Sequence, residues 1–564
     1  MSFRKLPSIA FLALAACAAP RQSPPPDLAD PVADVSVAAD IPDPADVAVT
    51  AAPCRAGIAA PAWWHRAVGY EVFVRSFQDS DGDGIGDFKG LTQRLDHLND
   101  GKPGQGSDLE VDLLWLMPMH DSPSYHGYDV TDYRAVEPDY GSEAEFQSLL
   151  AAAHARGMKV IVDLVVNHTS AQHPWFKASA AGTGHADWYV WRDTAADWKQ
   201  PWGKSPVWHA NGKRWYYAVF WQGMPDLDVR TPAVTAEMHA VAKHWLDRGV
   251  DGFRLDAVRY LIETGPGAGQ ADTPETLAWW REFSKSVGQV RPDALLVGEA
   301  WTANAVVANY HGKQGADLGM TFDFDLSAAL LKAVPGGVPD LVQKTVCGQD
   351  AAFGADAARG TFLTNHDMVR AATQLEGPAG DGDLRLATAL LFALPGTPFL
   401  YYGDEIGLPN GPGNDDIDKR QPMPWDTGPQ AGFTTGKPWA ALAAGHATRN
   451  VANQGADPQS LLTLHRKLVR LRKSAPALAI GSMRLLPQGP EGTWAFVRQQ
   501  GTERVLVVAN LGDGPAAMPA WTAAELGGAT AAAVDLLEKT SVLVEAGRPL
   551  VGSVAARTVR FVGL

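Results

Sequence analysis

Three carboxylates, two histidines and an arginine stand at the ends of apolar runs in this chain, residue types suited to acid–base and nucleophilic chemistry. Arg254 and Asp256 lie two apart in Gly252-Phe253-Arg254-Leu255-Asp256-Ala257. In a strand, that period puts both side chains on one face. A buried carboxylate beside a guanidinium keeps a low pKa and stays ionised, as an attacking carboxylate must. Taken alone, the stretch fits a structural ion pair equally well. His168, Glu299, His366 and Asp367 end other apolar runs. Polar residues repeated at the ends of buried strands have little structural purpose, and this favours function.

The elements that must carry these residues follow from hydrophobic periodicity. Buried strand-like runs are expected at 68–77, 111–117, 159–166, 252–256, 295–299, 320–324, 361–364 and 398–402. Amphipathic helical segments lie between most of them, as at 143–156 and 274–287. Such alternation predicts an α/β fold, a (β/α)8 barrel over 61–474, with reactive residues where strands end. Residues 169–228 are too long for an ordinary βα loop and read as an inserted domain after the third strand. It is dense in aromatics, some for its own core and some to wall a cleft. From 475 to 564 short alternating strands predict a C-terminal antiparallel β-sandwich domain.

Composition narrows the partners. The 564 residues are 46% hydrophobic and 20% charged, which fits a globular protein with a large core. A net charge of −15 with no basic tract argues against nucleic acid and anionic membrane surfaces. No protein partner is evident. Arg4 and Lys5 precede an apolar run too short to span a bilayer. Leu14-Ala15-Ala16-Cys17 resembles a bacterial lipobox, so 1–17 is expected to be a lipoprotein signal and Cys17 the lipid anchor of an exported, membrane-anchored protein. An ordinary secretory signal cleaved near Ala18 or Ala19 is the alternative. Residues 18–60, rich in Pro, Ala and Asp without aromatics, read as a disordered tether. Cys54 and Cys347 could pair in an oxidising compartment, but their distance along the chain gives that no geometric support.

Four motifs resemble the α-amylase family of glycoside hydrolases: Asp163-Leu164-Val165-Val166-Asn167-His168, Gly252-Phe253-Arg254-Leu255-Asp256, Gly298-Glu299-Ala300-Trp301 and Thr364-Asn365-His366-Asp367. Each is weak alone; four in order, each ending an expected strand, are specific. The resemblance implies an α-glucan or maltooligosaccharide substrate and a retaining mechanism. It assigns Asp256 as nucleophile, Glu299 as acid/base and Asp367 as the group that holds sugar hydroxyls. The residues support this: Arg254 should keep Asp256 anionic, while an apolar strand and Trp301 should raise Glu299. The resemblance also implies that His168 and His366 donate to the sugar, that Tyr128 stacks on it, and that Asp129 and Arg420 bind it, with Arg420 able to pair with Asp129. Ala257 resembles members that cut α-1,4 bonds. An α-glucosidase, a glucanotransferase and a non-catalytic carbohydrate-binding lipoprotein are the competing readings.

The loop Asp79-Ser80-Asp81-Gly82-Asp83-Gly84-Ile85-Gly86-Asp87 carries carboxylates at alternate positions with Gly at the sixth, like the first half of an EF-hand, but Gly90 stands where the closing Glu would be. Four carboxylates in nine residues repel one another without a cation. The loop resembles a calcium loop found after the first strand in many family members. Ca2+ would be held by Asp79, Asp81, Asp83, the Ile85 carbonyl and Asp87.

Overall fold

The computed structural model describes residues 53–564 apart from 313–314, 355, 377–379 and 414. The signal segment, Cys17 and most of the expected tether lie outside the described residues. Eight parallel strands close into a barrel: β1 (Gly69–Val72), β2 (Leu113–Leu116), β3 (Lys159–Leu164), β4 (Gly252–Leu255), β5 (Leu295–Gly298), β6 (Met320–Phe322), β7 (Ala358–Thr361) and β8 (Thr397–Tyr401). Each pairs with its neighbours in sequence, and β8 pairs with β1. Alternate residues fill the interior, among them Leu113, Trp115, Ile161, Leu295, Val297, Met320, Phe322 and Phe399. Those between them, such as Leu114, Leu116, Val160 and Val162, face the helices.

Local chemistry sets the helix starts. Asp87 caps α1 (Phe88–Leu98) through Gly90 N at 2.7 Å. Ser142 and Glu145 form a capping box on α2 (Glu143–Ala155). Thr231-Pro232 opens α3 (Pro232–Asp247), and Thr273-Pro274 opens α4 (Pro274–Val290). Gly252 begins β4 at φ 152, where a Cβ would overlap the Leu295 carbonyl.

Two expected strands differ. The run at 68–77 is a strand only to Val72, because Val74–Phe77 turns helical. The seventh strand lies earlier than 361–364, at Ala358–Thr361. Phe362 lies past its end and packs on Phe322 and Phe324, so it fills the barrel mouth rather than extending the sheet.

Between β3 and α3 the chain forms a short helix, Pro174–Ala181, and a three-stranded antiparallel sheet of Trp191–Arg192, Trp208–Asn211 and Arg214–Tyr217. Its core is Val190, Val207, Trp208, Tyr217 and Val219. Trp202 and Phe220 pack on Tyr260, from the loop after β4.

The C-terminal region is a six-stranded antiparallel sheet of β9 (Ser482–Leu485), β10 (Thr493–Gln500), β11 (Glu503–Asn510), β12 (Ala533–Asp535), β13 (Ser541–Val542) and β14 (Thr558–Gly563), ordered β9-β10-β11-β14-β12-β13. One face, with Phe496, Val507 and Phe561, joins the main core. The other, with Val497, Leu506 and Val508, is covered by Trp521, Val551 and Val554, next to two small ribbons.

Residues 53–60, read above as the end of a tether, are instead fixed. Cys54 is bridged to Cys347, Arg55 exchanges backbone bonds with Met483, and Ile58 N donates to Ile480 O at 2.9 Å. Past them, Trp63 Nε1 donates to Asp293 O ahead of β5, and Thr397, the first residue of β8, donates to Trp64 O. This segment therefore crosses the end of the barrel where the strands begin.

Candidate active site

The sequence-derived residues converge at the opposite end, where the strands finish. Asp256 follows β4 by one residue and Glu299 follows β5 by one. Arg254, inside β4 and almost fully buried, holds both. Its Nη1 lies 2.8 Å from Asp256 Oδ1 and 2.6 Å from Asp163 Oδ1 of β3; its Nη2 lies 2.6 Å from Glu299 Oε2. One guanidinium thus fixes the two carboxylates on a common cleft. It also packs over the rings of Trp115 and Tyr128.

This arrangement corrects the low pKa expected of Asp256. Burial pushes its pKa up to about 6; Arg254 opposes that, and the nearby Asp163 and Asp367 add to it. The arginine cannot hold Asp256 low because it is divided among three carboxylates. Glu299 is raised as expected, first by burial, with Arg254 opposing and Asp256 adding. Trp301 is not the cause suggested by sequence: it is 38% exposed and stacks on Phe324 at 4.5 Å.

Asp367 lies in the segment after β7. Burial works against its charge, but His366 and Arg420 hold it well below the usual carboxylate range. His366 Nε2 is 3.1 Å from Asp367 Oδ2 and 2.6 Å from the Tyr128 hydroxyl, and the Tyr128 ring stacks on the imidazole at 5.7 Å. Arg420 Nη2 contacts Asp367 Oδ1 at 2.9 Å and Asp416 Oδ2 at 3.3 Å. The expected Arg420–Asp129 pair is therefore replaced by Arg420–Asp367. Asp129 accepts instead from the hydroxyls of Ser122, at 2.8 Å, and Ser124. His168 is buried against Phe220 of the insertion, which drives its pKa down to about 3. Its Nε2 is buried and has no hydrogen-bond partner among the described residues.

The acidic loop lies between β1 and α1. Asp79, Asp81 and Asp87 each offer an oxygen within 4.8 Å of the others. Asp83 stands outside this group, its carboxylate accepting from Ile85 N at 2.7 Å. Ile85 is half-buried at the edge of the core. The backbone N–H groups of Asp81, Gly82 and Gly84 all donate to Asp79, which lowers the cost of crowding the charges. Gly84 has φ 96, and a Cβ there would overlap the Lys437 carbonyl. A cluster of three anionic oxygens fits a hard cation.

The "Alpha amylase, catalytic domain" family model matches residues 71–481, most of the chain. The chain belongs to the α-amylase family. It is 35% identical over 459 residues to "Alpha-amylase 3" of Dictyoglomus thermophilum, covering 80% of this chain and 85% of that protein. It is 33% identical over 518 residues to the "Trehalose-6-phosphate hydrolase" of Escherichia coli, covering 80% and 91%. Among solved structures, an α-amylase from H. orenii superimposes with a TM-score of 0.77 at 34% identity, covering 88% of this chain and 99% of that one. As an α-amylase-family glycoside hydrolase, the chain acts within a group whose members process α-glucosidic substrates.

Two residues of this family member's cleft were given no role by the sequence. Asp163 belongs to a motif quoted above, yet its bond to Arg254 was not foreseen. Glu71, on β1, accepts from His366 Nδ1 at 2.5 Å. The signal for both was an acidic residue set among buried apolar neighbours inside a strand.

Proposed function

We propose that the chain cleaves α-1,4-glucosidic bonds in starch-type glucans or maltooligosaccharides with retention at the anomeric carbon. The observation that carries this reading is the pair of carboxylates, Asp256 and Glu299, held by one guanidinium. Glu299 gives its proton to the glycosidic oxygen as the bond from that oxygen to the anomeric carbon breaks. Asp256 attacks the same carbon and forms a glycosyl ester. Water then replaces the departed sugar and passes a proton to Glu299, and its oxygen bonds to the anomeric carbon, freeing Asp256. Asp367, anionic between His366 and Arg420, is placed to grip the sugar hydroxyls, and the strengthening of those bonds in the transition state lowers the barrier. Tyr128 offers a ring face to the sugar, and His168 Nε2 and Asp129 offer polar contacts. Ala257 after the nucleophile supports α-1,4 over α-1,6 bonds.

The experiment is a chromatographed digest of maltoheptaose, with pullulan, isomaltose and sucrose in parallel and the anomeric form of the first product followed by NMR. Shorter α-anomeric maltooligosaccharides are expected; turnover of isomaltose alone, or a β-anomeric first product, refutes the reading. Longer products identify a glucanotransferase, and glucose released one unit at a time an α-glucosidase. We further propose a Ca2+ ion on Asp79, Asp81 and Asp87, acting on the stability of the first βα loop, and export on a lipid at Cys17. The Cys54–Cys347 bridge suits the oxidising compartment that export supplies. A diacylglyceryl mass on the mature protein, with globomycin instead holding the chain as a precursor that keeps its signal segment, tests the anchor; a mature protein without lipid excludes it.

A further inference from the structure

Glu71 sits within an apolar barrel strand and is 2% exposed. A carboxylate there is costly unless it is paired. Its partner is His366, whose Nδ1 lies 2.5 Å from Glu71 Oε1. The other ring nitrogen, Nε2, lies 3.1 Å from Asp367 Oδ2. A ring nitrogen so close to a carboxylate oxygen must present a hydrogen, because a bare lone pair there would face negative charge. Both nitrogens meet carboxylates, an arrangement that favours a hydrogen on each and so a cationic ring. The Tyr128 hydroxyl then accepts from Nε2 and keeps its own hydrogen for Asp163 Oδ2, at 3.4 Å.

We propose that Glu71 is a positioning residue for the glycosidic reaction: it holds His366 as a fixed cation and so sets Asp367 and Tyr128 for the sugar at the cleaved bond. This rests on the proposed hydrolysis for its catalytic consequence, though not for the charge on the ring. The groups facing His366 come from several strand ends: Glu71 of β1, Tyr128 after β2, Asp163 of β3, Asp256 after β4, Glu299 after β5 and its neighbour Asp367. Arg420 Nε donates to the His366 carbonyl at 3.2 Å and fixes the backbone. Burial disfavours the cation, but Asp367 and Glu71 outweigh it and push His366 up to about 10. Asp367 is remote from Glu71 in sequence and touches it only through this ring. Its low pKa therefore depends in part on a residue two strands away in the barrel.

Glu71→Gln tests this. Its amide oxygen still accepts from Nδ1, so the ring orientation survives and the supporting charge alone is removed. Histidine Cε1 resonances, with His366 assigned by its loss in His366→Gln, report the ring directly without substrate. The wild-type ring should stay charged from about pH 5.5 to about pH 8.5. In Glu71→Gln it should lose its proton within that window. The variant-to-wild-type ratio of kcat/KM on maltoheptaose should then fall by about tenfold or more between the two ends, since a shift of one pKa unit is a factor of ten. A wild-type ring that titrates in the window overturns the proposal even if the variant does not fold. So does a ratio that is flat with pH. If maltoheptaose is not hydrolysed at all, the substrate reading fails while the ring titration still decides the role of Glu71.

Discussion

At the scale of residues, the cleft works by keeping two carboxyl groups one proton apart. Asp256 and Glu299 share Arg254, so they titrate as a pair rather than singly. Asp256 must be ionised to attack, and it is pushed up to about 6. Falling pH therefore protonates the nucleophile, and kcat/KM should drop about tenfold per unit below about pH 6. Rising pH strips the proton from Glu299 and produces the other limb. A pH–rate profile flat down to pH 4 would contradict the Asp256 environment described above. Glu299→Gln should lower kcat by about a thousandfold or more while sugar binding, read by calorimetry, persists; wild-type turnover in that variant would remove Glu299 from its role. Arg254→Lys, with one ammonium in place of a fork, should lose one of the two carboxylates and about a hundredfold in kcat. The identities of Asp256, Glu299 and Asp367 were legible because each closes an apolar run. The raised pKa of Asp256 was not, because burial outweighs Arg254 there and Asp163 and Asp367 reach it from parts of the chain far apart in sequence.

At the scale of elements, the periodic signal reached all eight barrel strands, and its errors fall at strand ends. Phe73, Val74 and Phe77 carry the apolar pattern past Val72 although Val74–Phe77 is helical, with Phe77 packed on Tyr70, Tyr402 and Trp425; Phe362 carries it past Thr361 because it packs on Phe322 and Phe324 at the barrel mouth. The loop from Asp79 to Asp87 was legible as an acidic turn, but which three of its four carboxylates converge depends on how the loop folds and not on their spacing. If Asp79, Asp81 and Asp87 hold Ca2+, EDTA should lower the melting temperature by several degrees and added Ca2+ should restore it, since a ligand bound only to the folded state stabilises it by mass action. Asp79→Asn should abolish that response. Indifference of the wild-type melting curve to EDTA, with no metal in the purified protein, would dismiss the ion.

At the scale of the whole molecule, three pieces are sewn to the barrel: the aromatic insertion, the C-terminal sheet and the segment from residue 53. The sheet is joined by apolar packing and also by Arg498 of β10, whose Nη1 donates to Ala393 O at 2.7 Å, at the end of the helix Gly382–Ala393. The Cys54–Cys347 bridge was not readable from sequence, since a separation of 293 residues says nothing about proximity. Cys347→Ser should cost about 2–4 kcal/mol of stability in denaturant melts, as loss of a long-loop cross-link does, while turnover at ambient temperature is unchanged because the bridge is remote from Arg254. Equal midpoints for variant and wild type would show that the bridge carries no stability.

The crossing of residues 53–66 beneath the strand starts has a geographical consequence. Any leash attached at the front of the chain pulls on the floor of the barrel, while Asp256 and Glu299 open through its roof. A protein moored to a bilayer in this way would take that pull on the side away from its cleft, so the leash need not pass over the mouth through which polymers enter.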